Sequence, residues 1–283
     1  CQRHLQECRR PRLNCRIRPL LEADIMSVED INAMAFGGHD YVAATFASWL
    51  ARQGRDVWAV AAEDSSGEMA GFEVLTLYDS GTTGWLEALR VHPRCRNRGV
   101  ATALQGHLVE LAHLQLRLPR VRYTTATGNV ASRKLAAAAG MHVVASWGVI
   151  MPRQRVPLDA LAEAVRAVQA RLTKRQGAAC GGDLEMCART PDVQELMSYA
   201  ARSDMRFLLQ NWWKAFDFTA ENVEMLLREG LHEAPFMAMQ GGELQSFSWA
   251  LHKRDALGVT AFATVYARDI RSTLAHMALQ LDS

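Results

Sequence analysis

Apolar and polar positions change period several times along the chain. The run "IRPLLEADIMSVEDINAMAF", from Ile17, opens as a strand and passes into a helix on which Ile31, Met34 and Ala35 recur at helical spacing. A loop, "GGHDY", leads to a second helical stretch ending near "FASWLAR". Three β-rich runs follow, "VWAVAAED", "GEMAGFEVLTLYD" and "GWLEALRVHP", separated by the turn signals Ser65-Ser66-Gly67 and Gly81-Thr82-Thr83-Gly84. Such short connections predict an antiparallel meander. In "VATALQGHLVELAHLQL" the residues Leu104, Leu108 and Leu111 share one helical face. Beyond it "VRYTTATG" reads as a strand, "NVASRKLAAAAG" as a helix opened by an Asn cap and closed by Gly140, and "MHVVASWGVIM" as the last strand. The expected order, β-α-α-β-β-β-α-β-α-β, is an α/β (α+β) fold built on a mixed sheet and complete by about Met151.

The pattern then repeats in outline. "VPLDALAEAVRAVQARLTKRQ" is an amphipathic linking helix with Pro157 near its start, and "GAACGGD" breaks the chain. Two helices, "TPDVQELMSYAAR" and "TAENVEMLLREG", precede three strands, "PFMAMQ", "SFSWALHKR" and "VTAFATVYA", and a closing helix to Leu281. The boundaries expected are an arm over 1–16, a first domain over 17–152, a linking helix and linker over 153–182, and a second domain over 183–283.

Composition narrows the function classes. At 283 residues and 49% hydrophobic, the chain can bury one large core or two modest ones. A formal charge of +2 gives no reason to expect a nucleic-acid partner. Its six cysteines form no CxxC pair and no zinc-spaced Cys/His set, so neither a metal nor a redox dithiol is signalled, and they read as reduced thiols of a cytoplasmic or other intracellular protein. No apolar run approaches the ~20 residues of a membrane span. The opening "CQRHLQECRRPRLNCRIR" is Arg-rich with Glu7 as its single acid. It reads as a disordered or incomplete arm, or as the remnant of an organelle transit segment.

The chemistry concentrates at one joint. "RVHPRCRNRGVATALQGHL" crowds Arg90, Arg94, Arg96, Arg98 and Gly99 between a strand and a helix. A helix start offers main-chain N–H groups with no partner and partial positive charge, which attract phosphate, and glycine allows close approach of an anion. Arg96-Asn97-Arg98-Gly99-Val100-Ala101 fits R-x-x-G-x-A in that context.

This assembly resembles the GNAT superfamily of N-acetyltransferases, which bind acetyl-coenzyme A through the same segment. "GGHDYVAATFASWL", "GFEVLTLYDSGTTGWLEALRVHP" and "LLQNWWKAFDFTAENVEMLLREG" are similar to stretches of the histidine N-acetyltransferase family and its probable N-acetyltransferase relatives. The resemblance implies a GNAT acyltransferase fold followed by a second, degenerate and truncated GNAT-like domain. It also implies an acetyl-CoA-dependent enzyme that acts on the amino group of a small molecule, histidine or a related amino acid, without a metal. Leu89 and Val91 would offer main-chain groups to the pantetheine arm. Arg96, Arg98, Gly99, Val100, Ala101 and Thr102 would hold the pyrophosphate, and Asn129 and Ser132 would touch the coenzyme. Where many relatives carry a tyrosine after the Leu of that last helix, Leu135 is followed here by Ala136. A thiolate with a pKa of about 8.5 can instead take its proton from water.

Glu87 and Glu73, carboxylates in apolar strand text, are the candidate bases, because burial raises a carboxyl pKa towards a useful range. Each also reads as an ordinary strand glutamate facing solvent. Asp40 and Tyr41 are candidates for gripping the acceptor, or else a helix cap and a packing residue. His39, His92 and His107 read as surface or packed residues. Cys95 has no His placed to activate it. The alternatives are a GNAT enzyme for another amine or a peptide amine, a non-catalytic acyl-CoA-binding module, and RNA binding through the arm.

Overall fold

Side-chain alternation along the first strands sends apolar residues to both faces of one sheet, and each face finds its own helices. The computed structural model describes residues 14–34, 41–148, 160, 162–167, 170, 185–211, 213–229, 235–255, 258–268 and 270–282. The chain divides into two units, Cys1–Val144 and Ala145–Ser283.

In the first unit the sheet order is β1-β2-β3-β4-β5, with β1 Arg16–Pro19, β2 Val57–Glu63, β3 Met69–Tyr78, β4 Thr83–Val91 and β5 Arg120–Arg122. Strands β1 to β4 are antiparallel and β5 runs parallel to β4, so the sheet is mixed. Ala59, Ala61, Phe72 and Val74 pack on one face against Val28 and Ile31 of α1, Ile25–Ala33, and Val42, Phe46 and Trp49 of α2, Val42–Arg52. On the opposite face Val60, Ala62, Leu75 and Leu86 pack against Val100, Leu104 and Leu108 of α3, Val100–Glu110. This helix continues as a π turn, Leu111–Gln115. The buried stripe runs Leu104, Leu108, Ala112, and Leu111, expected on the stripe, is only partly buried. Helix α1 stops at Ala33, which leaves Met34 exposed instead of in the core, and Ala35 lies outside the described residues.

Strands β3 and β4 approach closely at Gly71. A Cβ there would lie 2.5 Å from the Arg90 carbonyl oxygen and 3.2 Å from the Val91 Cα. Backbone cannot swing away as a side chain can. Gly71→Ala is therefore expected to destabilise the first unit by about 2 kcal/mol, seen as a lower urea midpoint.

Helix α4, Val130–Ala138, ends before Gly140, whose φ is +74°. The strand expected next is not formed: 141–148 make no β-ladder, and 149–151 lie outside the described residues. The sequence supplies β-branched residues, but the strand they would join, β5, is three residues long and offers little edge. Val143 and Val144 are 74% and 58% exposed as a result.

The second unit has the sheet order β6-β9-β10-β11, antiparallel throughout, from β6 Glu185–Ala188, β9 Phe236–Gln240, β10 Glu243–Asp255 and β11 Gly258–Tyr266. Helices α5, Val193–Ser203, and α6, Ala220–Glu229, lie between β6 and β9 in the chain, and α7, Ile270–Asp282, follows β11. Asp192 caps α5 by accepting from the Gln194 N–H at 2.7 Å. The hairpin β7–β8, Phe207–Asn211 and Lys214–Asp217, is not expected from the sequence. Of the linking helix, residues 160 and 162–167 are helical, and most of 153–182 lies outside the described residues.

A buried polar cluster ties α7 to β10. His276, fully buried, meets Ser246 Oγ at Nε2 and Ser248 Oγ at Nδ1, both at 2.9 Å. Burial pushes its pKa down from 6.5 to about 4. The unfolded chain then binds the proton first as pH falls. The second unit is expected to lose roughly 3 kcal/mol between pH 6.5 and 4, and His276→Gln should flatten that part of a urea-midpoint-against-pH profile.

Candidate active site

Local chain geometry builds the site on the last long strand of the first unit. In β4 the pairs Phe72↔Arg90 and Val74↔Glu87 leave two residues, Ala88 and Leu89, opposite the single residue Glu73. This is a β-bulge, and Ala88 holds a φ of +59°. Such strain on a residue with a Cβ costs about 1–2 kcal/mol and persists only where the surroundings enforce it. Strand β5 pairs with β4 only from Thr83↔Arg120 to Trp85↔Arg122. From the bulge onward β4 has no β5 partner, so its main-chain edge is open.

An open cleft of about 380 Å³ occupies this gap, lined by Ile31, Met34, Leu89, Arg90, Val91, Arg96 and Asn129. At one end of it the chain turns into α3. His92 Nδ1 accepts from the Arg94 N–H at 3.2 Å, a short 3-10 turn covers Pro93–Cys95, and Asn97 and Gly99 take the left-handed conformation, with φ +60° and +87°. Gly99 is the N-cap of α3, and it has no side chain to cap the helix. Its carbonyl accepts from the Ala103 N–H at 3.0 Å, while the N–H groups of Val100, Ala101 and Thr102 begin the helix with no intrahelical acceptor. The donors expected from the sequence are thus present and uncapped.

The arginines of the joint separate by role. Arg94 is drawn off to Glu68 at 3.1 Å on the surface. Arg96, exposed, donates from Nε to the Val91 carbonyl at 3.3 Å, and Arg90 donates from Nη1 to the Leu89 carbonyl at 3.0 Å. Arg98 lies within electrostatic reach of Cys15. Asn129 lines the cleft, but its Oδ1 caps α4 by accepting from the Ser132 N–H at 3.1 Å. Ser132 is also engaged: its hydroxyl donates to the Tyr123 hydroxyl at 3.3 Å, and that hydroxyl donates to the Ser132 carbonyl at 2.8 Å.

The two candidate carboxylates lie on opposite faces of the sheet. Glu87 is paired with Val74 and accepts from the Thr76 hydroxyl at 2.8 Å, which places it on the α1/α2 face. Glu73 is paired with Val60, whose side chain belongs to the α3-side core. It is 2% exposed, its Oε2 has no hydrogen-bond partner, and burial pushes its pKa well above the carboxylate range. Lying on opposite faces of the sheet, the two carboxyls cannot act as a pair on one proton.

Tyr41 occupies the N-cap position of α2 with its ring edge-on to Trp49 at 6.3 Å, while Asp40 and His39 lie outside the described residues. His92 serves the loop turn and His107 is exposed. Cys95 is buried in the α3-side core, out of reach of a covalent route. Ile31, Met34 and Arg90 line the cleft without having stood out as site residues in the sequence. A period-2 signal exists for Arg90, since Leu89 and Val91 on either side face α3.

Comparison with known proteins agrees with this geometry. Residues 25–141 match the Acetyltransferase (GNAT) family. The chain is 28% identical over 130 residues to a histidine N-acetyltransferase of Xenopus tropicalis, covering 46% of this chain and 38% of that protein. It is 30% identical over 106 residues to a histidine N-acetyltransferase of Scomber australasicus, covering 38% and 30%. To the probable N-acetyltransferase 16 of Homo sapiens it is 25% identical over 217 residues, covering 74% and 56%. The matched stretches therefore span from under a third to just over half of those relatives' lengths. Among the described residues no helix is long and apolar enough to cross a membrane. A bulged and half-open β4, a glycine-headed α3 and the family match over 25–141 together establish that this chain carries a GNAT acetyltransferase domain.

Proposed function

We propose that the protein transfers the acetyl group of acetyl-CoA to the amino group of a small molecule, with histidine or a related amino acid as acceptor. One observation carries the reading: uncapped amides at the start of α3 and the open edge of β4 meet beside one cleft. A diphosphate fits the amides of Gly99, Val100, Ala101 and Thr102, with Arg96 and Arg98 supplying positive charge. The open edge at Leu89 and Val91 suits an amide-bearing pantetheine arm, which would add to the sheet as a short strand does. Asn129 and Ser132 support this binding by holding the first turn of α4 in place.

When bound, acetyl-CoA supplies an activated acyl carbon and a thiolate leaving group. Glu87 takes the proton from the attacking ammonium. A main-chain N–H near Leu89 donates to the acyl oxygen as negative charge develops there. The amine nitrogen bonds to the acyl carbon and gives its second proton to water, the carbon–sulfur bond breaks, and the thiolate takes a proton from water, since Ala136 provides no acid. Glu73, buried on the other face with its Oε2 unpartnered, lies away from Glu87 and leaves the base role to it. Tyr41 remains a candidate for gripping the acceptor, and its companion candidate Asp40 lies outside the described residues. The second unit, whose β6-β9-β10-β11 order parallels β1-β2-β3-β4, supports a degenerate copy without a coenzyme loop: residues 92–99 join β4 to α3, but only 267–269 join β11 to α7.

Histidine enters from the names of the relatives in Xenopus tropicalis and Scomber australasicus. The experiment is a screen of free amino acids and simple amines for thiol release from acetyl-CoA. Release with histidine supports the full reading. Release only with other amines keeps the chemistry and changes the acceptor, and saturable coenzyme binding without release favours an acyl-CoA-binding module.

A further inference from the structure

We infer that Arg90 is the specificity-determining residue of the acceptor pocket, selecting amines that carry a carboxylate beside the amino group; this rests on the acetyltransferase reading above. The register places it. Leu89 and Val91 pack into the α3-side core, whereas Arg90 is paired with Phe72, whose side chain belongs to the α1/α2 core. Arg90 therefore emerges on the face opposite the coenzyme helix and lines the cleft together with Ile31 and Met34 of the α1 end. Its Nη1 donates to the Leu89 carbonyl, which holds the guanidinium against the open edge of β4 beside the bulge.

Arg96 lines the same cleft but belongs to the other ligand. It is exposed, sits in the loop leading to α3, and donates to Val91. Arg90 is partly buried. A guanidinium that has lost part of its hydration is satisfied best by a planar anion meeting two of its N–H groups in parallel, as a carboxylate does. Glu87 lies on the same face, on the other side of the bulge. One strand thus presents an anion for the ammonium and a cation for the carboxylate of an α-amino acid.

The test compares histidine with histamine, and tyrosine with tyramine, at saturating acetyl-CoA for the full chain and its Arg90→Gln and Arg90→Lys variants. Wild type is expected to favour the carboxylated member of an accepted pair by about ten- to hundredfold in kcat/KM. Arg90→Gln should abolish the preference chiefly through KM, and Arg90→Lys should restore part of it. Circular dichroism and acetyl-CoA affinity are read on each variant. A preference that survives Arg90→Gln overturns the inference, as does a loss of coenzyme affinity that matches the loss of turnover. Should wild type release no thiol with any amine, the acetyltransferase reading fails by itself. Calorimetric binding of histidine against histamine then still decides whether Arg90 reads a carboxylate.

Discussion

Glu87→Gln is expected to lower kcat by about 10²- to 10⁴-fold while leaving coenzyme affinity intact. The glutamate stands one residue before the β4 bulge, on the face where an acceptor would approach, and accepts from Thr76 at 2.8 Å. It also lies within electrostatic reach of Arg52. Glutamine matches its shape and keeps an oxygen for Thr76, so the strand and its bulge stay in register. Only the capacity to take a proton is lost. Steady-state thiol release and calorimetric titration with acetyl-CoA separate these effects. Unchanged turnover would remove Glu87 from the chemistry and leave water as the base.

Gly99→Val should weaken acetyl-CoA binding by roughly a hundredfold. At φ +87° a β-branched residue is a conformational outlier, so the first turn of α3 must reorient to accept it. The amides of Val100, Ala101 and Thr102 then no longer converge on one anion, and charge-assisted hydrogen bonds worth about 1.5–3 kcal/mol each are lost. The fold should lose only about 1–2 kcal/mol, because Leu104 and Leu108 still anchor the helix. Binding isotherms and urea midpoints report the two losses separately. A variant with normal affinity would show that the diphosphate is held elsewhere.

The coenzyme end is legible in the sequence because it is contiguous. A strand, a glycine and an apolar-faced helix follow one another within Trp85 to Leu108, and each obeys rules that involve only near neighbours. The acceptor end is not legible in that way. Local pattern offers Asp40 and Tyr41 for it, while Arg90, flanked by the coenzyme residues Leu89 and Val91, reads as one more arginine of the basic joint. Alternation with Leu89 and Val91 gives the face it takes, but what lies on that face depends on its pairing with Phe72, a contact across strands.

The same division runs through the rest of the molecule. Element identity in the meander, the cap of α4 and the helix start at Gly99 were settled by the sequence alone, through hydrophobic period, backbone conformational preference and side-chain hydrogen bonding within a few residues. Tertiary structure alone decided that Ala88 bulges, that Glu73 and Glu87 point to opposite faces, that β5 leaves β4 after Trp85, and that 141–148 form no ladder despite their β-branched text. Those outcomes depend on which strand lies alongside and in what register, and that free energy is shared between segments far apart in the chain.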